Sequence, residues 1–243
     1  MVALFLISAF IVAAAATVVG FGSATMLTPL AATFFDIKKA IVLVAFFHFF
    51  SNISRVGLFR GNISWRLIPL YGGPLLISCF VGAWLLKYLP SDTLRFVFGI
   101  FLVLFVLSSF FSPKVTLNPS NAVAVCGGLT SGFVSGLLGT GGAIRTVFLQ
   151  IFGLDRDAYI ATNAGLALMA DLVRIPVYLT TGAVNPHRED VMLIPLLIVV
   201  AYVGTLVGRQ LAQRIPQDRF RQVVLVGLFF AGLSFIFRGV NGQ

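Results

Sequence analysis

Residues 132–149, GFVSGLLGTGGAIRTVFL, decide how the rest of this chain is interpreted. An apolar run stops at a glycine-rich segment and resumes directly after it, with a single arginine, Arg145, in the resumed part. The interrupting segment comprises Gly139, Thr140, Gly141 and Gly142. Glycines this close together in an apolar sequence predict a helix that breaks inside a membrane, where unpaired backbone groups are tolerated only if protein buries them or they line a wet cavity. The break is therefore a candidate binding site, and the positive N-terminal end of the following half-helix favours an anion.

A second break of the same kind is predicted near the start of the chain, in residues 20–30, GFGSATMLTPL. Gly20, Gly22 and Ser23 interrupt the apolar run there, and Pro29 suits the early part of a new helix, where its missing N–H is needed least. The glycines and Ser23 are candidate substrate-binding residues, as are the four residues of the later break. Paired broken segments in matching halves are the sequence signature of a transporter binding site.

The two breaks belong to an internal duplication. Placing Gly20 on Gly139 also brings Asp36 onto Asp155, Asn52 onto Asp171 and Arg55 onto Arg174, and Pro69, Pro90 and Arg95 find matches further on after a short insertion. The polar, twice-prolined stretch 112–121 separates the copies. We therefore predict a first transmembrane repeat at 1–111, a linker at 112–121 and a second transmembrane repeat at 122–243.

Composition assigns the class. The 243 residues are 58% apolar and 10% charged, with a mean hydropathy of +1.01, whereas soluble domains carry about 25% charge. The predicted fold is an all-α polytopic membrane protein with two homologous halves of about four spanning helices each, every half opening with a broken helix and a short half-helix. The net charge of +9 is attributed to loop residues beside anionic lipid headgroups, so the lipid bilayer is an expected partner and nucleic acid is not.

The direction of the second repeat stays open. If each half-helix belongs to the span before it, each half crosses the membrane four times and the two repeats are parallel. If each half-helix is a separate pass, each half crosses the membrane five times and the two repeats are inverted. The distribution of Lys and Arg between the two faces weakly favours four crossings. Inverted repeats explain alternating access more naturally, so both arrangements are kept.

Ionisable residues inside the predicted spans are candidate functional groups, because a charge near the bilayer centre costs at least about 2.5 kcal/mol. Arg174 is a candidate anion ligand, and Asp171 lies on the same helical face three residues earlier. The pair either binds and couples substrate or is a structural ion pair at a helix contact. Arg145 follows the second break directly and reinforces the half-helix dipole if it faces inward, or extends to the headgroups if it does not.

The remaining polar candidates lie in the spans that follow each half-helix. Asn52 and Arg55 occupy the positions that match Asp171 and Arg174, and Arg55 is either a ligand or an interfacial cation. His48 is a candidate proton carrier or a satisfied polar contact. Asn163 can donate to an oxyanion or to a neighbouring helix.

The sequence gives little support to other functional classes. An intramembrane enzyme requires a nucleophile and base or a metal cluster, and only two histidines, one glutamate and two separated cysteines are present, so no catalytic or metal site is predicted. The glycines of the second break lack the Lys-Ser/Thr of a nucleotide-binding loop, and no cofactor is expected. An anion channel and a non-transporting membrane scaffold or assembly protein remain alternatives to a carrier. Whether the chain forms a homodimer stays an open question.

GFGSATMLTPL from Gly20 and GLLGTGGAIRTVFL from Gly136, each opening half of a duplicated chain, resemble the sulfite exporter TauE/SafE family of membrane permeases. The resemblance extends over essentially the whole chain. It implies transport of small anions, commonly sulfur oxyanions or organosulfonates such as sulfite, thiosulfate or sulfoacetate, across a prokaryotic inner membrane. Substrate identity, direction and coupling ion are not implied by the sequence.

Overall fold

The computed structural model of the chain describes residues 2–19, 23–111, 118–184, 188–211 and 217–242. Ten α-helices and one short 3-10 turn, Arg60–Asn62, account for most of this part. The helices are α1 (Val2–Val19), α2 (Ser23–Ala31), α3 (Ile37–Phe59), α4 (Leu67–Leu85), α5 (Ser91–Phe111), α6 (Asn121–Leu138), α7 (Gly142–Gln150), α8 (Arg156–Thr180), α9 (Arg188–Leu211) and α10 (Gln217–Asn241).

The predicted class is confirmed, because the described residues form helices and no strands. Six helices are long and apolar enough to cross a membrane, and shorter apolar stretches lie at Val2–Ala16 and Met192–Gly208. Each half contains four long helices and a nine-residue one, α2 or α7. The repeat boundaries at 1–111 and 122–243 stay a prediction, and residues 112–117 of the linker lie outside the described part.

The second break is a hairpin in which α7 turns back along α6. Gly139 ends α6 with a φ of 73°, a left-handed conformation that glycine adopts without the Cβ penalty, and its N–H donates to Ser135 O. A Cβ added to Gly141 would meet Ser135 and Ser131, whereas one added to Gly127 would meet the ring of Phe148. Because position 148 lies beside 127 and position 141 beside 131–135, α7 runs antiparallel to α6. Nine residues at 1.5 Å each give α7 about 13 Å, half the thickness of a membrane core.

Glycines of α6 bring its backbone into close contact with α4. Gly128, Gly132 and Gly136 recur every four residues, and a Cβ on any of them would lie within 2.4 Å of a backbone carbonyl of α4, those of Tyr71, Leu75 and Cys79 respectively. In lipid, such close backbone approach is a main source of helix association. The pairs also show that α4 and α6 run parallel.

We expect Gly136→Ala to destabilise the protein, because its methyl group would overlap Cys79 O at 2.1 Å on a rigid helix. Gly73→Ala is the matched control, since Gly73 is also helical but has nothing within 4 Å of an added Cβ. Without a clash, alanine in a helix is favoured over glycine by about 0.5–1 kcal/mol. Thermal unfolding in detergent should therefore give a lower midpoint for the first variant and an equal or higher one for the second. Equal midpoints would show that this packing is not tight.

The helix directions favour the inverted arrangement. His48 of α3 contacts Asp171 of α8. Ser64 follows α3 in the chain and contacts Thr162, which precedes Asp171 in α8, so α3 and α8 are antiparallel. The helices α5 and α10 are antiparallel as well, because Gly99 faces Gly232 while Asp92 lies against Gly239. The sequence alignment matches α3 with α8 and α5 with α10, and antiparallel equivalents are what a two-fold axis in the membrane plane produces.

The start of α8 lies on the same side as the start of α6. An added Cβ on Gly165 of α8 would meet Ile68 of α4, and Cys79 of α4 donates through its thiol to Ala170 O, so α8 runs parallel to α4 and therefore to α6. The hairpin of α6 and α7 thus begins and ends on one side of the protein. The hairpin therefore adds no net crossing of the membrane. The three helices that follow it, α8, α9 and α10, give this half an odd number of net crossings, as an inverted repeat requires.

Candidate functional site

The start of α2 lies against the second break. The Thr25 Oγ1 of α2 lies 2.6 Å from the Oγ1 of Thr140 in the second break, and both side chains are completely buried. The N-terminal parts of the two half-helices, α2 and α7, therefore lie close to each other. Gly20 and Gly22 lie outside the described residues, so their predicted contribution is not addressed by the structure.

Two hydroxyl groups of α2 are buried without a hydrogen-bond partner. Ser23, the first residue of the helix, and Thr28 are both 0% exposed, and neither side-chain oxygen has a partner among the described residues. A buried hydroxyl without a hydrogen bond costs about 1–3 kcal/mol. Such groups are therefore expected where a ligand or water completes the structure.

Arg145 faces inward, as one of the two sequence interpretations predicted. It is 1% exposed, and its position in the first turns of α7 places the guanidinium beside α6 and α8. Its Nε donates to Asn163 Oδ1 at 2.9 Å and its Nη1 donates to Ser135 Oγ at 3.2 Å. Both acceptors are neutral, and no carboxylate of the described residues lies within ion-pair distance of the guanidinium.

The Arg145 charge is therefore buried without a carboxylate of the described residues at ion-pair distance. Removing an ion of this size from water costs several kcal/mol even after the protein relaxes, and neutral hydrogen bonds offset only part of that cost. Arg145 also lies at the positive end of the α7 dipole, which does not compensate a cation. An anion bound at this end of α7 would supply the missing charge.

The second buried cluster joins the two halves through Asp171. Arg174 donates to Asp171 through Nε at 2.8 Å, and its Nη2 lies 2.6 Å from the same carboxylate oxygen, Oδ1. His48 Nδ1 lies 2.9 Å from the other oxygen, Oδ2. Asp171 is 0% exposed, Arg174 1% and His48 4%. The carboxylate thus binds a guanidinium through one oxygen and an imidazole of the other half through the other, and Arg174 Nη2 lies 3.5 Å from His48 Nδ1.

The predicted pairing of Asp171 with Arg174 is present in the structure, whereas the roles of both residues in binding or coupling stay predictions. Arg174 also donates through Nη1 to Ser135 O at 3.1 Å, and Tyr178 donates through its hydroxyl to Gly136 O. These carbonyls lie in the last turn of α6, and Ser135 O also accepts the N–H of Gly139. Arg174 and Tyr178 therefore cap the negative end of α6 directly below the break.

Asn52 and Arg55 extend this cluster along α3. Asn52 is 1% exposed, and its Nδ2 lies 3.0 Å from His48 Nδ1 and 3.5 Å from Asp171 Oδ2. Arg55 is partly buried and donates through Nη1 to Asn52 Oδ1 at 3.4 Å, while its Nη2 is buried without a partner. Arg55 is thus neither fully exposed nor part of the enclosed centre.

Three residues of the site were not predicted from the sequence. Ser135 contacts both Arg145 and Arg174, one through its hydroxyl and the other through its carbonyl. Thr25 and Thr28 are buried in α2. The hydroxyl residues of α2 could have been found as polar positions in an apolar half-helix, but nothing in the sequence signals that Ser135 lies beside an arginine ten residues later.

Comparisons with known proteins find a matching family and two curated relatives. The family model described as sulfite exporter TauE/SafE matches residues 5–235. A probable membrane transporter protein of Methanocaldococcus jannaschii is 25% identical over 93% of this chain and 94% of its own. A probable membrane transporter protein of Bacillus subtilis is 24% identical over 73% of this chain and 75% of its own. No solved structure gives a significant match. Because the family match covers nearly the whole chain, this membrane transporter belongs to the sulfite exporter TauE/SafE family.

Proposed function

We propose that the chain is a carrier of small anions, sulfur oxyanions or organosulfonates of the sulfite, thiosulfate or sulfoacetate type, in a prokaryotic inner membrane. The anion binds where the two breaks meet and is released to either side by alternating access. The observation that carries the proposal is the fully buried Arg145, which the described residues leave without a carboxylate.

The chemistry around Arg145 suits an oxyanion. A guanidinium offers several N–H donors in a fixed plane, and two of those of Arg145 already hold it against Asn163 and Ser135. The first turn of α7 begins at Gly142 without a side-chain cap, so its backbone N–H groups are available to an anion. The hydroxyls of Ser23 and Thr28 on α2, which have no partner among the described residues, are the candidate donors from the other half.

The arrangement of the halves supports alternating access. Inverted repeats allow two conformations in which the halves exchange roles around a site that stays near the membrane centre. The buried contact between Thr25 and Thr140 joins the two broken segments, so a movement of one half against the other would change the site itself. Arg174 binds Asp171 and Ser135 O and is assigned to holding the second break in place beside Arg145.

Uptake of labelled sulfite into proteoliposomes tests the proposal. We expect saturable uptake that unlabelled thiosulfate and organosulfonates reduce, because one enclosed site takes one anion at a time. Preloading the vesicles with unlabelled sulfite should accelerate entry of the label, as it does for a carrier and not for a channel. Uptake equal to that of protein-free vesicles, from folded protein, would reject sulfur anions as substrates.

A further inference from the structure

The buried charges of the site can be counted. We define the central cluster as Arg145, His48, Asp171 and Arg174, each at most 4% exposed. Arg174 and Asp171 form an ion pair and cancel, which leaves the single positive charge of Arg145 when His48 is neutral. Arg55 is not counted as a member of the central cluster, because its side chain as a whole is partly exposed; its Nη1 donates to Asn52, and its Nη2 is buried without a partner among the described residues.

His48 is the member of the central cluster that can change the net charge of the cluster, by gaining a proton. The charged groups acting on it are Asp171 and Arg174 of α8 and Arg145 of α7. Its own helix contributes the neutral Asn52, and α4 contributes Cys79 beside Asp171 and Arg174. The contact of α3 with α9 runs through the hydroxyls of Ser51 and Thr205. No further charged side chain of the described residues faces the imidazole.

The hydrogen bonds of His48 leave one nitrogen for a second proton. Asp171 is paired with Arg174 and accepts, so the Nδ1 of His48 carries the proton that it donates to Oδ2 at 2.9 Å. The Nε2 of the neutral ring is then an acceptor; Asn52 Nδ2 lies 3.3 Å from it and 3.0 Å from Nδ1, so this amide N–H has to turn away when Nε2 gains a proton. A proton added from solution at Nε2 gives the cluster a second positive charge.

We infer that the site is neutralised by one net negative charge, so that a singly charged anion binds alone and a doubly charged anion binds together with one proton on His48. The inference rests on the proposed function and specifies the charge class of its substrate. For a monoanion, Arg145 supplies the only counter-charge required. For a dianion, the proton taken from solution at Nε2 supplies the second one, because an uncompensated charge in an enclosed site is strongly disfavoured.

Methanesulfonate and sulfate are a suitable pair of probes, since both are tetrahedral sulfur oxyanions and they carry one and two charges at neutral pH. Binding to purified protein in detergent is measured by calorimetry in two buffers of different ionisation enthalpy, which gives the protons taken up per anion bound. We expect no uptake with methanesulfonate and about one proton with sulfate. This measurement on the unaltered protein needs no variant to fold.

His48→Gln adds a second, independent measurement. We expect the affinity for sulfate relative to methanesulfonate to fall at least about tenfold, because glutamine retains hydrogen bonding but gains no proton. The control is His187→Gln, the same replacement at the other histidine of the chain, which should leave that ratio unchanged.

The outcomes separate the two proposals. Equal proton uptake for both anions, or an unchanged affinity ratio in folded His48→Gln, would overturn the inference and leave the anion site standing. If neither methanesulfonate nor sulfate binds, and sulfite uptake is also absent, the proposed function is rejected and the inference with it.

Discussion

Replacing Arg145 by glutamine should abolish anion transport while leaving the protein folded and at least as stable as before. The side chain is 1% exposed and its two described acceptors, Asn163 and Ser135, are neutral oxygens; the amide nitrogen of glutamine occupies the position of Nε, which donates to Asn163. Removing a buried charge that has no carboxylate of the described residues beside it removes its desolvation cost, so the unfolding midpoint should stay or rise. The bound anion loses its counter-charge, which costs about 2–5 kcal/mol of binding free energy, a factor of at least about 30 in affinity.

Arg66→Gln is the matched control for this experiment, because Arg66 is the same residue type but is exposed just before α4. Its sulfite uptake should equal that of the unaltered protein. Folded Arg145→Gln protein with full uptake would show that the buried charge does not serve the substrate. A large loss of stability in Arg145→Gln would instead indicate an unrecognised structural partner.

Replacing Asp171 by asparagine should produce the opposite result, a severe loss of stability. The substitution leaves the Arg174 guanidinium buried without its carboxylate, and breaking a buried ion pair from one side costs about 3–5 kcal/mol. The imidazole of His48 loses its charged acceptor as well. The unfolding midpoint in detergent, compared with that of the unaltered protein, measures the effect.

The double variant Asp171→Asn with Arg174→Gln separates ion pairing from packing. Removing both charges avoids the unpaired guanidinium, so the double variant should be more stable than Asp171→Asn alone, and the coupling energy in the double-mutant cycle should be large. If instead the stability losses of the two single variants are additive, the ion pair contributes little to stability, and Arg174 acts mainly through its contact with the α6 carbonyl.

The fold was largely predictable because its strongest signals are local. Apolar runs interrupted by closely spaced glycines indicate both broken helices directly, and the observed half-helices Ser23–Ala31 and Gly142–Gln150 directly follow the two predicted breaks. The direction of α7 was not predictable in the same way. It depends on whether the chain reverses at Gly139, and a glycine permits a reversal without requiring one.

The sequence predicted which residues belong to the candidate site, but not which of them contact each other. The rarity of ionisable residues in apolar spans identified Arg145, Asp171, Arg174 and His48, because each is costly to bury. Their spacing allowed Asp171 to meet Arg174 on one helix face. That His48 binds the same carboxylate, and that Arg145 lacks one, depends on contacts between helices far apart in sequence, which the pattern of a single chain does not encode.

Calorimetric binding of sulfite to the detergent-solubilised protein and to its Arg145→Gln and Arg66→Gln variants tests the anion site most directly. One sulfite should bind per chain to the unaltered protein and to Arg66→Gln, and binding to folded Arg145→Gln should be weaker by at least about 30-fold. Equal sulfite affinity in all three proteins would contradict the assignment of Arg145 as the charge that holds the anion.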